Sequence, residues 1–265
     1  MVARRFSEIV SGAERGAEPP VAGGLHSDVS GAGHPAFGID VPAVSLRRLW
    51  LMLAHYHGQI WNASEVGRSL GEAHTTVKRH IDMLTGALMV RQLQPWFENL
   101  GKRQVKSPKV YVRDSGLLHE LLGVPSFALL EGHPKLGASW EGFVLEELIG
   151  VAGSRHAYYW RTQAGAELDL LLFIRGRRYG VEVKYADAPG LSKSMAVALE
   201  DLRLERLLVV YPGKERYRLG KRVEVLPLAA ARQEVRKLVD GGRGSGVGRG
   251  PNSRREPASS KLRTN

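Results

Sequence analysis

The sequence predicts an α/β (α+β) chain in which a winged helix-turn-helix precedes a mixed sheet flanked by helices. Three observations predict this. Between residues 46 and 84 apolar side chains recur at helical spacing in short runs separated by Gly58 and Gly71. Residues 88–112 read as two strands around a basic loop. After residue 157 the strands are nearly continuously apolar and a helix separates them, the pattern of a sheet covered on both faces.

Taken in order, residues 1–45 carry Arg4, Arg5 and Arg15 against five acidic residues and are broken by Gly, Pro and Ser, a composition expected of a poorly ordered leader. Leu46, Leu49, Trp50, Leu53 and Ala54 then form the apolar stripe of a first helix, ended by Gly58. Asn62-Ala63-Ser64 offers a cap for a short helix closed after Leu70 by Gly71. Thr75-Thr76 leads the next helix, with Val77, Ile81 and Leu84 inward and Thr76, Arg79 and His80 expected to point outward. The strands Leu88–Leu93 and Val110–Val112 flank the loop 101–109. Residues 46–125 thus predict a winged helix whose second helix, through Thr76, Lys78, Arg79 and His80, enters a DNA major groove. Lys102, Arg103, Lys106 and Lys109 are its expected wing contacts to phosphate. The alternative is a compact module packed on another domain, its lysines solvated.

Residues 126–240 change character. Residues 134–150 form a strongly apolar helix carrying Glu141, Glu146 and Glu147. Tyr158–Trp160, Ala166–Ile174 and Tyr179–Tyr185 read as strands, with a turn at Gly176. A helix over about 191–202 precedes the strands 206–211 and 223–226. From Gly241 to Asn265, six basic residues face Glu256 alone in a Gly/Ser/Pro-rich stretch, which predicts a disordered basic tail.

Composition narrows the chemistry. With no cysteine, thiol nucleophiles and cysteine-ligated metals are excluded. No apolar run approaches the roughly 18 residues of a membrane span, and no signal peptide is evident, so a cytoplasmic location without membrane attachment is expected. The net charge is +11. Residues 46–114 hold eleven basic against five acidic side chains and residues 115–240 eighteen against sixteen, so the first half is the better surface for a polyanion.

Strand alternation places Glu167, Asp169, Leu171 and Phe173 on one face of their strand, and Gly180, Glu182 and Lys184 on one face of the next. Paired as a hairpin, these strands would converge Asp169, Glu182 and Lys184. An acid on one strand and Glu-x-Lys on the next, after a helical glutamate, resembles the PD-(D/E)xK nuclease fold. The chemistry suits a phosphodiester. Glu141, Asp169 and Glu182 would hold Mg²⁺ or Mn²⁺, and Lys184 would position water or neutralise developing charge. The plain alternative is a set of cross-strand ion pairs. Gly180 is expected to clear bulk beside Glu182, and Glu146 is the rival helical carboxylate. His55 and His57 read as surface or helix-end residues, Trp96 and Phe97 as packing of the wing on its neighbour, and Ser192 and Lys193 as a solvated helix start.

Four segments together carry a family resemblance: NLGKRQVKSPKVYVRDSGLL (99–118), GASWEGFVLEEL (137–148), AELDLLL (166–172) and GVEVK (180–184). In order, they resemble the C-terminal half of a large prokaryotic family of AAA+ type ATPases, whose C-terminal domain is described as a domain of unknown function. The likeness covers about residues 46–226. It implies a winged helix followed by a restriction-endonuclease-like domain, with Glu141, Asp169, Glu182 and Lys184 at the family's acidic and lysine positions. The family's ATPase domain has no counterpart here: Gly101-Lys102 is followed by Arg103 and lacks the upstream glycine of a phosphate-binding loop, so no nucleotide-binding site is expected. The chain then reads as a truncated or split member, with DNA and a separate ATPase domain or subunit as implied partners. Two functions follow as expectations: a Mg-dependent DNA-cleaving module, or a non-catalytic DNA- or protein-binding module.

Overall fold

The structure, a computed structural model, describes residues 43–98, 101 and 103–241. Residues 1–42 of the expected leader, the tail after residue 241 and Lys102 lie outside the described residues, whereas the last three residues of the expected leader, Ala43, Val44 and Ser45, begin the first helix. The first unit comprises α1 (Ala43–Tyr56), β1 (Gln59–Ile60), α2 (Ala63–Leu70), α3 (His74–Gly86), β2 (Val90–Leu93) and β3 (Lys109–Val112), with an antiparallel sheet in the order β1-β3-β2. Asn62 starts α2 by accepting the amides of Ser64 and Glu65 at 3.2 and 3.3 Å, and Gly71 ends it in the left-handed region at φ 73°. Leu49, Leu53, Trp61, Val66, Val77, Ile81 and Leu84 close over Val90 and Val110.

His80 departs from its expected outward position and is buried, its Nδ1 3.7 Å from Glu72 Oε2. The reason is its spacing. Val77, His80, Ile81 and Leu84 are the i, i+3, i+4, i+7 stripe of α3, and all four face inward.

The segment between β2 and β3 is also different from a free wing. Trp96 and Val105 donate backbone N–H groups to Tyr159 and Arg161 at 2.7 and 3.0 Å, and Tyr159 donates to Gln94 at 3.0 Å. The segment therefore runs along β4 and covers what would be an open sheet edge. Trp96 packs on Tyr158 and Phe173, at ring-centroid distances of 5.3 and 4.4 Å.

The second unit follows two short helices, α4 (Ser115–Leu121) and α5 (Phe127–Glu131). It comprises α6 (Leu136–Ala152), β4 (Ala157–Arg161), β5 (Glu167–Ile174), β6 (Arg177–Val183), α7 (Lys193–Asp201), β7 (Arg206–Tyr211), β8 (Tyr217–Arg218), β9 (Val223–Pro227) and α8 (Leu228–Asp240). The six strands run β4-β5-β6-β7-β9-β8; β6, β7 and β9 are parallel and the other pairs antiparallel. One face packs Leu170, Leu172, Val181, Leu208 and Val210 with Val144 and Leu148 of α6 and Val235 of α8. The other packs Leu168, Leu171, Leu207, Val209 and Val225 against Met195, Ala198 and Leu202. This is the expected mixed sheet with helices on both faces. The sequence reading placed no helix at α8, although Ala231, Val235 and Leu238 carry helical spacing.

The two units share core. Leu93 and Tyr111 of the small sheet belong to the apolar cluster around α6. His57 is buried rather than superficial: its Nδ1 accepts the Val112 amide at 3.1 Å, so its proton sits on Nε2, which donates to Ala138 O at 3.1 Å. Among the described residues no helix is long and apolar enough to cross a membrane.

Candidate functional site

The β5–β6 hairpin pairs Leu170 with Val181, the residues next to Asp169 and Glu182 in the two strands. Asp169 lies in a β-bulge, where two steps along β4 (Tyr158 to Trp160) match three along β5 (Leu171 to Leu168). Leu168 and Leu171, three residues apart, consequently share the face under α7. Strict alternation from Glu167 through Asp169 to Phe173 is therefore broken at this point.

Asp169 Oδ2 accepts the Val183 amide at 2.8 Å. Lys184, directly after β6, donates its ammonium to Glu182 Oε1 at 2.7 Å, while Glu182 Oε2 is buried without a hydrogen-bond partner. From α6, Glu141 Oε1 accepts the Tyr111 hydroxyl at 2.6 Å and lies 3.2 Å from Lys109 Nζ. That ammonium also contacts Glu167 and stands 3.9 Å from Asp169 Oδ1. Arg161 reaches the other oxygen of Glu167 at 3.1 Å.

Electrostatics follow from this crowding. Burial first, then the charges of Glu141 and Glu182, push the Asp169 carboxyl well above the usual carboxylate range. Burial likewise raises Glu182, against the opposing ammonium of Lys184. Burial alone would lower Lys109, but Tyr111, Glu141, Asp169 and Glu167 outweigh it and hold the ammonium well above its ordinary value.

Glu141, Asp169, Glu182 and Lys184 thus meet at one place. Of the expected DNA contacts, Lys78 and Arg79 are exposed on α3, Thr76 is half-buried, and Arg103 and Lys106 are exposed on the segment along β4. Lys109 is corrected: it is 3% exposed and faces carboxylates instead of solvent. The sequence reading missed Lys109, Tyr111 and Arg161 as neighbours of the acidic residues. The available signal was the Lys-x-Tyr spacing of β3, which puts both on one face. Glu146 is occupied elsewhere, since Arg91 contacts both its oxygens and Arg113 Nε lies 2.9 Å from Oε2. Gly180 clears no space at the site; a Cβ there would meet Leu204 Cδ1 at 2.7 Å and Leu207 Cδ1 at 2.9 Å. Ser192 caps α7, accepting the Met195 amide at 3.2 Å.

The donor set suits a hard divalent cation. It offers carboxylate oxygens alone, one of them buried and unpartnered, and excess negative charge around Asp169. As they stand, no three His, Asp or Glu side chains among the described residues are grouped to hold a metal ion. The cation in place among Glu141, Glu167 and Asp169 is the ammonium of Lys109.

The chain is similar to known sequences. The chain is 55% identical over 190 residues to "Uncharacterized protein Rv2008c" of Mycobacterium tuberculosis and to "Uncharacterized protein Mb2031c" of Mycobacterium bovis, a stretch that is 72% of this chain and 43% of each relative. The chain therefore spans less than half the length of these relatives. The crystal structure of protein VC1899 from Vibrio cholerae aligns over 74% of this chain and 55% of its own, with 11% identity and a TM-score of 0.22. Two family models, both described as domains of unknown function, match in succession: DUF8612 over residues 35–128 and DUF4143 over residues 136–231.

Proposed function

We propose that the chain is a DNA-binding module of winged-helix type joined to a metal-dependent phosphodiester hydrolase site of PD-(D/E)xK type. The observation that carries this reading is the meeting of Glu141, Asp169, Glu182 and Lys184, with Glu182 Oε2 buried and lacking a partner. A buried carboxylate oxygen without a donor is costly unless a cation reaches it. Asp169, Glu182 and Glu141 would hold Mg²⁺ or Mn²⁺, which when bound polarises a phosphate and acidifies water. The protein's own part is to fix these oxygens: the Val183 amide orients Asp169 and the Tyr111 hydroxyl orients Glu141. Lys184, 41% exposed in its side chain, presents an ammonium where a phosphate oxygen would gather charge. On α3, the exposed Lys78 and Arg79 suit the phosphates of a duplex.

A second reading, a non-catalytic DNA- or protein-binding module, is favoured by the Lys109 ammonium among the carboxylates. In either case the AAA+ resemblance makes a separate ATPase domain or subunit the proposed partner. The test is cleavage of duplex, single-stranded and branched DNA with Mn²⁺, comparing the parent with Asp169→Asn and Lys184→Ala. Cleavage lost in both variants supports the hydrolase. No cleavage of any DNA by the parent, with duplex binding retained, leaves the binding module.

A further inference from the structure

We propose that Lys109 is a built-in competitor for the divalent cation: its ammonium occupies the carboxylate site and must swing out before a metal ion can bind. This inference rests on the metal-site reading above and concerns how that site is regulated.

The geometry supports the competition. Lys109 Nζ contacts Glu167, lies 3.2 Å from Glu141 Oε1 and 3.9 Å from Asp169 Oδ1, and stands 5.7 Å from the centroid of the Tyr159 ring. A side chain only 4% exposed, making these contacts, takes the space beside Glu141 and Asp169, two of the three carboxylates assigned to the cation. An ammonium and a divalent ion cannot share it, because their repulsion in a partly buried setting would exceed what either gains. The backbone of Lys109 cannot withdraw to make room. β3 is the middle strand of its sheet, with Lys109 paired to Ile60 on one side and Leu93 on the other. The whole unit is further pinned to α6 by Arg91 and Arg113 on Glu146 and by His57 on Ala138. Only the side chain is left to move, and its four methylenes give it the reach to do so.

The occupant therefore comes from the first unit and the carboxylates from the second. Metal entry is thereby coupled to the unit proposed to hold DNA. A phosphate brought near β3 would offer the displaced ammonium an anionic partner, so DNA and metal should favour each other's binding.

The test is Mn²⁺ binding to the full chain by calorimetry, comparing the parent with Lys109→Met, which keeps length and removes charge. Competition predicts at least tenfold tighter Mn²⁺ binding in the variant. Equal affinity in both overturns the competition and leaves the metal site standing. No binding in the variant, under conditions where it melts cooperatively, removes the metal site itself. Should Lys109→Met fail to fold, the parent supplies an independent readout by amine-specific labelling mapped to residue 109. Lys109 should be protected without metal and labelled on saturation with Mn²⁺. Protection unchanged at saturating, calorimetrically verified Mn²⁺ overturns the proposal.

Discussion

His57 and Gly142 meet with no side chain between them: a Cβ on residue 142 would lie 2.5 Å from His57 Nε2 and 3.2 Å from Tyr111 Cδ1. Gly142 sits on α6 and His57 just beyond α1, so the absence of a Cβ lets the two units approach. Gly142→Ala should therefore destabilise the chain by about 1–3 kcal/mol through overpacking, despite the better intrinsic helix propensity of alanine. Thermal melting checks this, and a melting temperature equal to or above the parent's would refute the close contact.

The same imidazole should make stability depend on pH. Burial lowers its pKa from 6.5 to about 3, with the Ala138 carbonyl opposing. The unfolded chain thus binds a proton near pH 6.5 that the folded chain refuses until about pH 3. The stabilising difference is intact above pH 6.5 and is lost as pH falls toward 3, at a limiting slope of about 1.4 kcal/mol per pH unit for one proton. His57→Gln should lose that share of the slope between pH 6 and 4. Urea denaturation of both proteins across this range measures it, and parallel curves would contradict a neutral buried ring.

Asp169 acts with the opposite sign. Its folded-state pKa is raised above the ordinary 3.8, by burial and by Glu141 and Glu182. Its contribution is most favourable below pH 3.8 and is lost as pH rises through the folded value. In the absence of divalent metal, Asp169→Asn can still accept the Val183 amide and should stabilise the protein at pH 8 by about 1 kcal/mol, since it removes a buried charge crowded by Glu141 and Glu182. A destabilised variant at that pH would mean that the Lys109 contact outweighs the crowding.

DNA binding should depend on α3 more than on the β2–β3 segment. Replacing exposed Lys78 and Arg79 by alanine should flatten the plot of log K against log salt by up to about 2 units, since each lost phosphate contact removes about 0.9. Arg103→Ala with Lys106→Ala should change it by less, because that segment is laid along β4. Fluorescence anisotropy of full-length variants on one duplex compares the slopes directly. A larger loss from the second pair would place DNA along the sheet edge.

How much of this was legible beforehand depended on whether the signal was local. Helical spacing and caps located α1, α2 and α3, because Asn62 and Gly71 act on the turns beside them. Apolar runs separated by turn residues located β4, β5, β6 and β7, and the mixed sheet followed from their pattern. The approach of Asp169 to Glu182 was legible because their strands form a hairpin, whose register is set by its own turn. The bulge that breaks alternation around Asp169 was not, since it arises where β4 pairs with β5.

What the sequence determined by itself was most of the longer elements, α8 excepted, and the acidic and basic residues available to them. Tertiary structure alone decided which charges met. Lys109 and the loop lysines look alike as a basic run, yet Lys109 is turned inward by β3 onto carboxylates some 30 to 60 residues away in sequence, whereas Lys106 stays in solvent. Glu141 and Glu146 lie on one helix, but only the first joins the site, because Arg91 and Arg113 of the first unit reach the second. Such choices depend on the docking of one unit against the other through His57, Gly142 and Tyr111. Coulomb energies and desolvation depend on distance and burial in three dimensions, which spacing along the chain does not encode.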